Sequence, residues 1–430
     1  MNMKKYALVA TIATIVGLVL GRLVPVQSQA QLKPATSWAA VPGEKGGEDV
    51  WGPYQVQIGW PQDLNALPGH DPKWSWGSVE GIFAESPDRV YILQRGELPY
   101  MPKRPVNTPI PQFAPSLSYP TNEVPFRNAS QGPVAAMPGE GENYKGKEGV
   151  DARWEHCLVV VNRQGKIIEE WTQWDKTFKR PHAVYVNPYD PDKAVWVVDD
   201  GRHAIFKFSH DGKKLLLTIG TPDVQGSDAT HYGRPTFLAW LPDSTMFLSD
   251  GYTNTRVVKF DKNGKYLLAW GEKGTPPKTP MDPGDTRPGY FNTVHGVAVD
   301  PVTRRVYVND RANRRCQVFD ENGKFLDQWS YGPIAQVYSL YMGVDRKLWA
   351  PDSRTWKLLK YDLEGHFLYG WGSLIDLPNP GGMFGVHEIS VDQEGDLYFA
   401  EVSMGRAQKF VPRKGAQPEM LVSPPPKGAW

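Results

Sequence analysis

The chain has 430 residues and a formal net charge of +1, with 48 Lys and Arg against 47 Asp and Glu. That balance, with the cations scattered along the chain, excludes a nucleic-acid surface. Only two cysteines are present, which excludes a disulfide-built scaffold, and the length is ample for one large core.

Residues 1–30 read as a secretory signal peptide. Lys4 and Lys5 form a basic start, an apolar run extends from Tyr6 to Gly21, and the segment ends in the small-x-small sequence Ser28-Gln-Ala30. An uncleaved membrane anchor is the alternative, but the apolar run is short for a full span. No cysteine follows that could carry a lipid. The reading places the protein outside the cytoplasm, secreted or periplasmic, with no stable membrane span after cleavage. Residues 31–53 form an N-terminal segment, and residues 54–416 carry a repeat.

Each repeat has four short strands: an apolar strand after a Pro- and Gly-rich turn, a second strand ending in Asp, then a hairpin whose last strand ends in Trp. The hairpin is clearest in Arg256-Val-Val-Lys-Phe-Asp-Lys-Asn-Gly264-Lys-Tyr-Leu-Leu-Ala-Trp270. It recurs from Cys316 to Trp329 and from Leu358 to Trp371. Asn-Gly between apolar runs is a strong hairpin signal, with positive φ expected at both residues. Four strands at a period of roughly forty residues or more make a propeller blade. One blade cannot bury both its faces, so blades stack around an axis.

Six blades are expected in an all-β ring. Blade 1 runs from near Gly81 to Trp171–Trp174, and blade 2 from Pro181 to Gly220. Blade 3 spans Arg234 to Gly271, blade 4 Phe291 to Ser330, and blade 5 Val337 to Gly372. Blade 6 begins near Phe384. The stretch Tyr54-Gln-Val-Gln-Ile-Gly-Trp60 reads as a fourth strand without a blade and is expected to complete blade 6. Glu419 to Val422, in the C-terminal tail 417–430, is the competing strand. Residues 97–150 interrupt blade 1 as a Pro-, Asn- and Gly-rich insertion, either a wall beside a site or a plain surface loop. Cys157 falls in blade 1 and Cys316 in blade 4, too far apart on a ring to bond.

The chemistry is carried by histidines at one register in alternate copies: Pro-His182-Ala-Val-Tyr-Val, Val-His295-Gly-Val-Ala-Val and Val-His387-Glu-Ile-Ser-Val. The other copies carry Glu80, Thr236 and Ser339 there. In a six-membered ring alternate blades lie a third of a turn apart, so His182, His295 and His387 converge on the axis. Three His with a fourth position open is the ligand set of a catalytic zinc. His70, His156, His203, His210, His231 and His366 lie off that register and read as surface or loop residues. Asp199, Asp250, Asp310 and Asp352 close second strands and read as repeat-structural, hydrogen-bonding the next turn.

The Asp250-Gly-Tyr252-Thr-Asn-Thr-Arg256 run, the Asp310-Arg311-Ala-Asn-Arg-Arg run and the three His resemble NHL-repeat propellers. More narrowly, they resemble peptidyl-α-hydroxyglycine α-amidating lyase, over most of the chain. The resemblance implies a carbon–nitrogen lyase of the peptidylamidoglycolate type, acting as a monomer on a small-molecule or peptide substrate. It implies Zn2+ on His182, His295 and His387, Tyr252 as general base, and Arg95 and Arg311 in the pocket. It also implies a structural Ca2+ bound in part by Glu388, where the family has Asp, and by carbonyls near Ile82 and Val184. Further departures are Gly385 in place of the family's Met, Thr253 after Tyr252, and Val306 where a cysteine would pair with Cys316. No copper monooxygenase domain precedes the ring.

The implied chemistry is coherent by itself. Zinc lowers the pKa of a carbinolamide hydroxyl, a Tyr acidified by neighbouring charge takes its proton, and an Arg grips a carboxylate such as that of glyoxylate. Two other readings stay open. One is a binding scaffold without catalysis. The other is a metal lyase or hydrolase of the same fold on a small non-peptide substrate.

Overall fold

In a computed structural model, six four-stranded antiparallel sheets form a ring of blades. The described residues are 40–41, 52–100, 108–109, 118–119, 149–150, 152–279, 281–372 and 381–425. The signal-peptide reading and most of the insertion 97–150 lie outside them. None of the helices among the described residues is long and apolar enough to cross a membrane.

Blade 2 shows the plan: Pro181–Val186 innermost, then Val195–Asp199, Ala204–Phe208 and Leu215–Ile219, each paired to the last. Blades 3, 4 and 5 begin at Pro235–Trp240, Val294–Val299 and Tyr341–Met342. Blade 1 pairs Val79–Ser86, Arg89–Gln94, Leu158–Val161 and Ile167–Glu170, so the insertion leaves between its second and third strands. Blade 6 takes three strands from Val386–Val391, Leu397–Glu401 and Arg406–Pro412. Its fourth is Tyr54–Val56, paired antiparallel with Tyr54 opposite Pro412. The strand Tyr54–Val56, ahead of blade 1 in the chain, thus closes the ring. The competing tail folds as a short 3-10 turn, Pro418–Met420, and Val422 donates its N–H to Tyr54 Oη.

The hairpins depart from the expected turn. Gly264, Gly323 and Gly365 have positive φ, whereas Asn263, Asn322 and Glu364 before them do not. The preceding Asp instead organises the loop. Asp261 Oδ1 accepts the N–H groups of Asn263 and Lys265, Gly264 N–H closes onto Asp261 O, and a bulge follows at Leu267, opposite Lys259 and Phe260. This is a type I turn continued by a left-handed residue, which needs one glycine and not two positive-φ residues. Asp320 and Asp362 repeat it. The glycine has a second role. The Trp that ends one blade lies against the hairpin glycine of the next, and a Cβ on Gly323 would stand 2.8 Å from Trp270 and one on Gly365 2.3 Å from Trp329.

The core lies between blades. One buried cluster joins Trp196, Phe247, Phe260, Val297 and Phe319 across blades 2, 3 and 4, and another packs Trp349, Trp371, Phe399 and Phe410 across blades 5 and 6. Cys157 and Cys316 are buried free thiols in blades 1 and 4.

Candidate functional site

Two local devices present one residue per blade to the axis. First, the innermost strand carries a register shift at that residue in five blades, straddling Glu80, His182, Thr236, His295 and His387. A bulge frees the residue from the ladder and re-aims its side chain. Second, the last residue of the second strand ties down the backbone three positions before that axial residue. Gln94, Asp199, Asp250, Asp310, Asp352 and Glu401 accept the N–H of Gly77, Lys179, Gly233, Asn292, Gln336 and Phe384, all at 2.7–2.8 Å. The four aspartates expected to be repeat-structural do this, and Gln94 and Glu401 complete the set.

His182, His295 and His387 meet on the axis. Each offers a ring nitrogen, and those atoms lie within 4.8 Å of one another. Ring centroids are 4.6–5.4 Å apart. All three are buried. Burial, together with the neighbouring imidazoles and arginines, holds His182 and His295 well below the ordinary histidine range and His387 down to about 3. They are therefore neutral, as metal ligation requires. Nδ1 of His295 lies 2.6 Å from Tyr338 O, and Nδ1 of His387 lies 2.6 Å from Glu80 O. A carbonyl only accepts, so both Nδ1 atoms carry the proton and Nε2 is left with the lone pair. The donor set fits a zinc-class ion.

Tyr252 follows the second strand of blade 3, Met246–Asp250, and turns its hydroxyl to the same point. Its Oη is 3.2 Å from His182 Nε2 and 2.9 Å from His295 Nε2. Guanidinium carbons of Arg234, Arg311 and Arg180 lie 4.3, 4.9 and 5.5 Å from its ring centre. Arg95 is buried beside them, with Nη1 3.0 Å from Glu80 and Nη2 3.7 Å from Asp200. Asp200 also takes Arg180 at 2.5 Å and Arg234 at 2.7 Å. Burial alone would raise its carboxyl, but these arginines hold it below the usual range. Arg311 has no carboxylate partner among the described residues and lies over the Tyr252 and Tyr338 rings.

Sequence reasoning missed Arg180, Arg234, Asp200 and Phe237. Phe237 underlies the site, its ring 5.0–5.2 Å from all three imidazoles. It follows the register residue Thr236 directly, and that adjacency was the available signal. His156 and His203, read as surface or loop residues, are loop residues but buried.

Glu388 lies deeper in the channel. Backbone N–H groups of Ile82 and Val184 face its carboxylate, that of Ile82 at 2.9 Å. Burial pushes this carboxyl well above its ordinary value, against hydrogen bonds from those amides and from Tyr185. Calcium takes six to eight oxygen ligands, of which this carboxylate would be one.

No family model matches the chain. Peptidyl-glycine alpha-amidating monooxygenase A of Xenopus laevis is 28% identical over 263 residues, 60% of this chain and 27% of that protein. Peptidyl-alpha-hydroxyglycine alpha-amidating lyase 1 of Drosophila melanogaster is 27% identical over 296 residues, 65% of this chain and 52% of that protein. NHL repeat-containing protein 3 of Mus musculus is 27% identical over 285 residues, 59% of this chain and 72% of that protein. The chain thus spans about a quarter of the first relative and about half of the second. It is a six-bladed propeller similar to amidating lyases and to NHL-repeat proteins.

Proposed function

We propose that the chain is a zinc-dependent lyase, acting outside the cytoplasm, that cleaves a carbinolamide of the peptidyl-α-hydroxyglycine type to an amide and glyoxylate. The observation that carries this reading is the meeting of three buried neutral imidazoles with one phenol hydroxyl, 3.2 and 2.9 Å from two of them. Zinc held by His182, His295 and His387 would polarise the carbinol hydroxyl and lower its pKa.

The remaining work falls to the protein. Tyr252 Oη accepts the hydroxyl proton, and the three guanidinium groups around its ring favour negative charge there. Arg311, with no carboxylate partner among the described residues, holds the substrate carboxylate by paired N–H donors. Arg95, Arg180 and Arg234 are anchored on Glu80 and Asp200 around the mouth. Phe237 closes the floor against water. The carbon–nitrogen bond breaks, the carbinol C–O becomes the aldehyde of glyoxylate, and the amide nitrogen leaves with the proton that Tyr252 received.

Similarity to an NHL repeat-containing protein favours a second reading, a binding scaffold without an axial metal. Metal analysis of the purified protein, then assay of glyoxylate release from α-hydroxyhippurate, separates the two. The lyase reading expects one axial metal and metal-dependent glyoxylate. Metal-free protein, with no glyoxylate formed after zinc is added, would leave the scaffold.

A further inference from the structure

A second group of metal-ligating side chains lies where the insertion joins blade 1. Glu97 is fully buried at the head of the strand Glu97–Pro99, where the chain departs. His156 is buried where the chain returns, two residues before the strand Leu158–Val161. His70 comes from the stretch between the ring-closing strand Tyr54–Val56 and the strand Trp74–Trp76. Potential ligand atoms of the three lie within 4.8 Å of one another.

Their orientation is specific. Glu97 Oε2 is 3.2 Å from His70 Nε2, and Glu97 Oε1 is 2.5 Å from His156 Nδ1. Each imidazole is held from behind: His70 Nδ1 lies 3.0 Å from Asn65 Oδ1, and His156 Nε2 lies 3.0 Å from Glu170 Oε2. Without an ion, the inner nitrogens donate to the Glu97 carboxylate; with one bound, the outer nitrogens would donate to Asn65 and Glu170 and the inner nitrogens would turn their lone pairs to the ion. In either state the buried carboxylate needs positive charge beside it. Arg153 supplies some of it, with Nη2 2.6 Å from Glu97 Oε2 and 3.3 Å from His70 Nε2. In the same position its Nε lies 3.2 Å from Glu97 Oε2 and 3.3 Å from exposed Glu155, and its Cζ lies 5.5 Å over the Trp74 ring.

We propose that His70, Glu97 and His156 form a second divalent-metal site, of the two-histidine, one-carboxylate kind suited to zinc. Histidines backed by oxygen acceptors, with one position left for water, are what such an ion takes. The metal displaces Arg153 onto Glu155 and Trp74. It ties both roots of the insertion, at Glu97 and His156, to the stretch before Trp74–Trp76 that carries His70. This site is independent of the axial histidines and of the lyase reading.

The test uses the full chain, stripped with chelator and titrated with Co2+ under equilibrium dialysis and visible absorption. Folding of each variant is checked by circular dichroism. Wild type should bind one more equivalent than His70→Ala and one more than Glu97→Gln, while His295→Ala keeps this equivalent. Arg153→Ala, lacking the competing cation, should bind it about tenfold more tightly. If Glu97→Gln does not fold, His70→Ala decides alone. Equal cobalt content in wild type and His70→Ala, or weaker binding by Arg153→Ala, overturns the site.

Discussion

Replacing Tyr252 by Phe removes one oxygen and leaves the ring. The ring is held edge-on to His182 at 5.6 Å and His295 at 5.2 Å, with three guanidinium groups around it. Phe fills the same volume and keeps these contacts, so folding stability should change by no more than about 1 kcal/mol, the net worth of an ordinary hydrogen bond. The lost oxygen lies between His182 Nε2 and His295 Nε2. If it takes the substrate proton, turnover should fall by about 10²- to 10⁴-fold, the usual share of a positioned base. At about 1.36 kcal/mol per decade, that raises the barrier by about 2.7–5.4 kcal/mol. Glyoxylate release from α-hydroxyhippurate measures it, with KM nearly unchanged because Arg311 still holds the carboxylate. Metal content should equal that of wild type. Near-full turnover on every hydroxyglycine-type substrate tried would make Tyr252 a packing residue and refute the assignment.

Four further outcomes are expected. His295→Ala should lose both the axial metal and activity, read by metal analysis beside the glyoxylate assay. Arg311→Ala should raise KM for carboxylate substrates by at least about tenfold and leave metal content alone, since a charged hydrogen bond contributes about 1.5–3 kcal/mol. Gly365→Ala puts a Cβ 2.3 Å from Trp329 at a φ of +82°. Left-handed strain of about 1–2 kcal/mol and overpacking of about 1–3 kcal/mol should lower the urea midpoint without changing the slope. Deleting residues 102–138 should leave the ring folded and weaken substrate affinity if the insertion walls the site, and unchanged affinity would end that reading.

The ring and the axial triad were legible because both are periodic. One register repeated in six copies, so His182, His295 and His387 could be placed on an axis before any coordinates. The hairpins were legible as hairpins but not as turns. Asn-Gly suggested two left-handed residues, whereas the preceding Asp261, Asp320 and Asp362 fold the loop by accepting N–H groups two and four residues on. What stayed hidden is aperiodic. Asp200 follows Asp199, whose position repeats in every blade, yet Asp200 itself belongs to no repeat and gathers arginines from three blades. Glu97 and His156 are 59 residues apart, and only the closing of blade 1 around the insertion brings them together.

The charge around the mouth bears on what it can admit. Arg95, Arg180 and Arg234 are tied to Glu80 and Asp200, whereas Arg311 meets no carboxylate among the described residues. Glu80 is pushed up by burial, against the pull of Arg95. A cation held by the three imidazoles would add positive charge beside them. Buried like charges of this density are unfavourable unless something negative joins them, and the ring supplies no further carboxylate there among the described residues. Asp200 holds Arg180 and Arg234 in place, and Arg311 lies over Tyr252 and Tyr338 instead. On the lyase reading, a substrate carboxylate pairs with Arg311 and is oriented by it. A neutral analogue lacking that carboxylate should then bind more weakly than the anion, and equal binding would remove Arg311 from the substrate site.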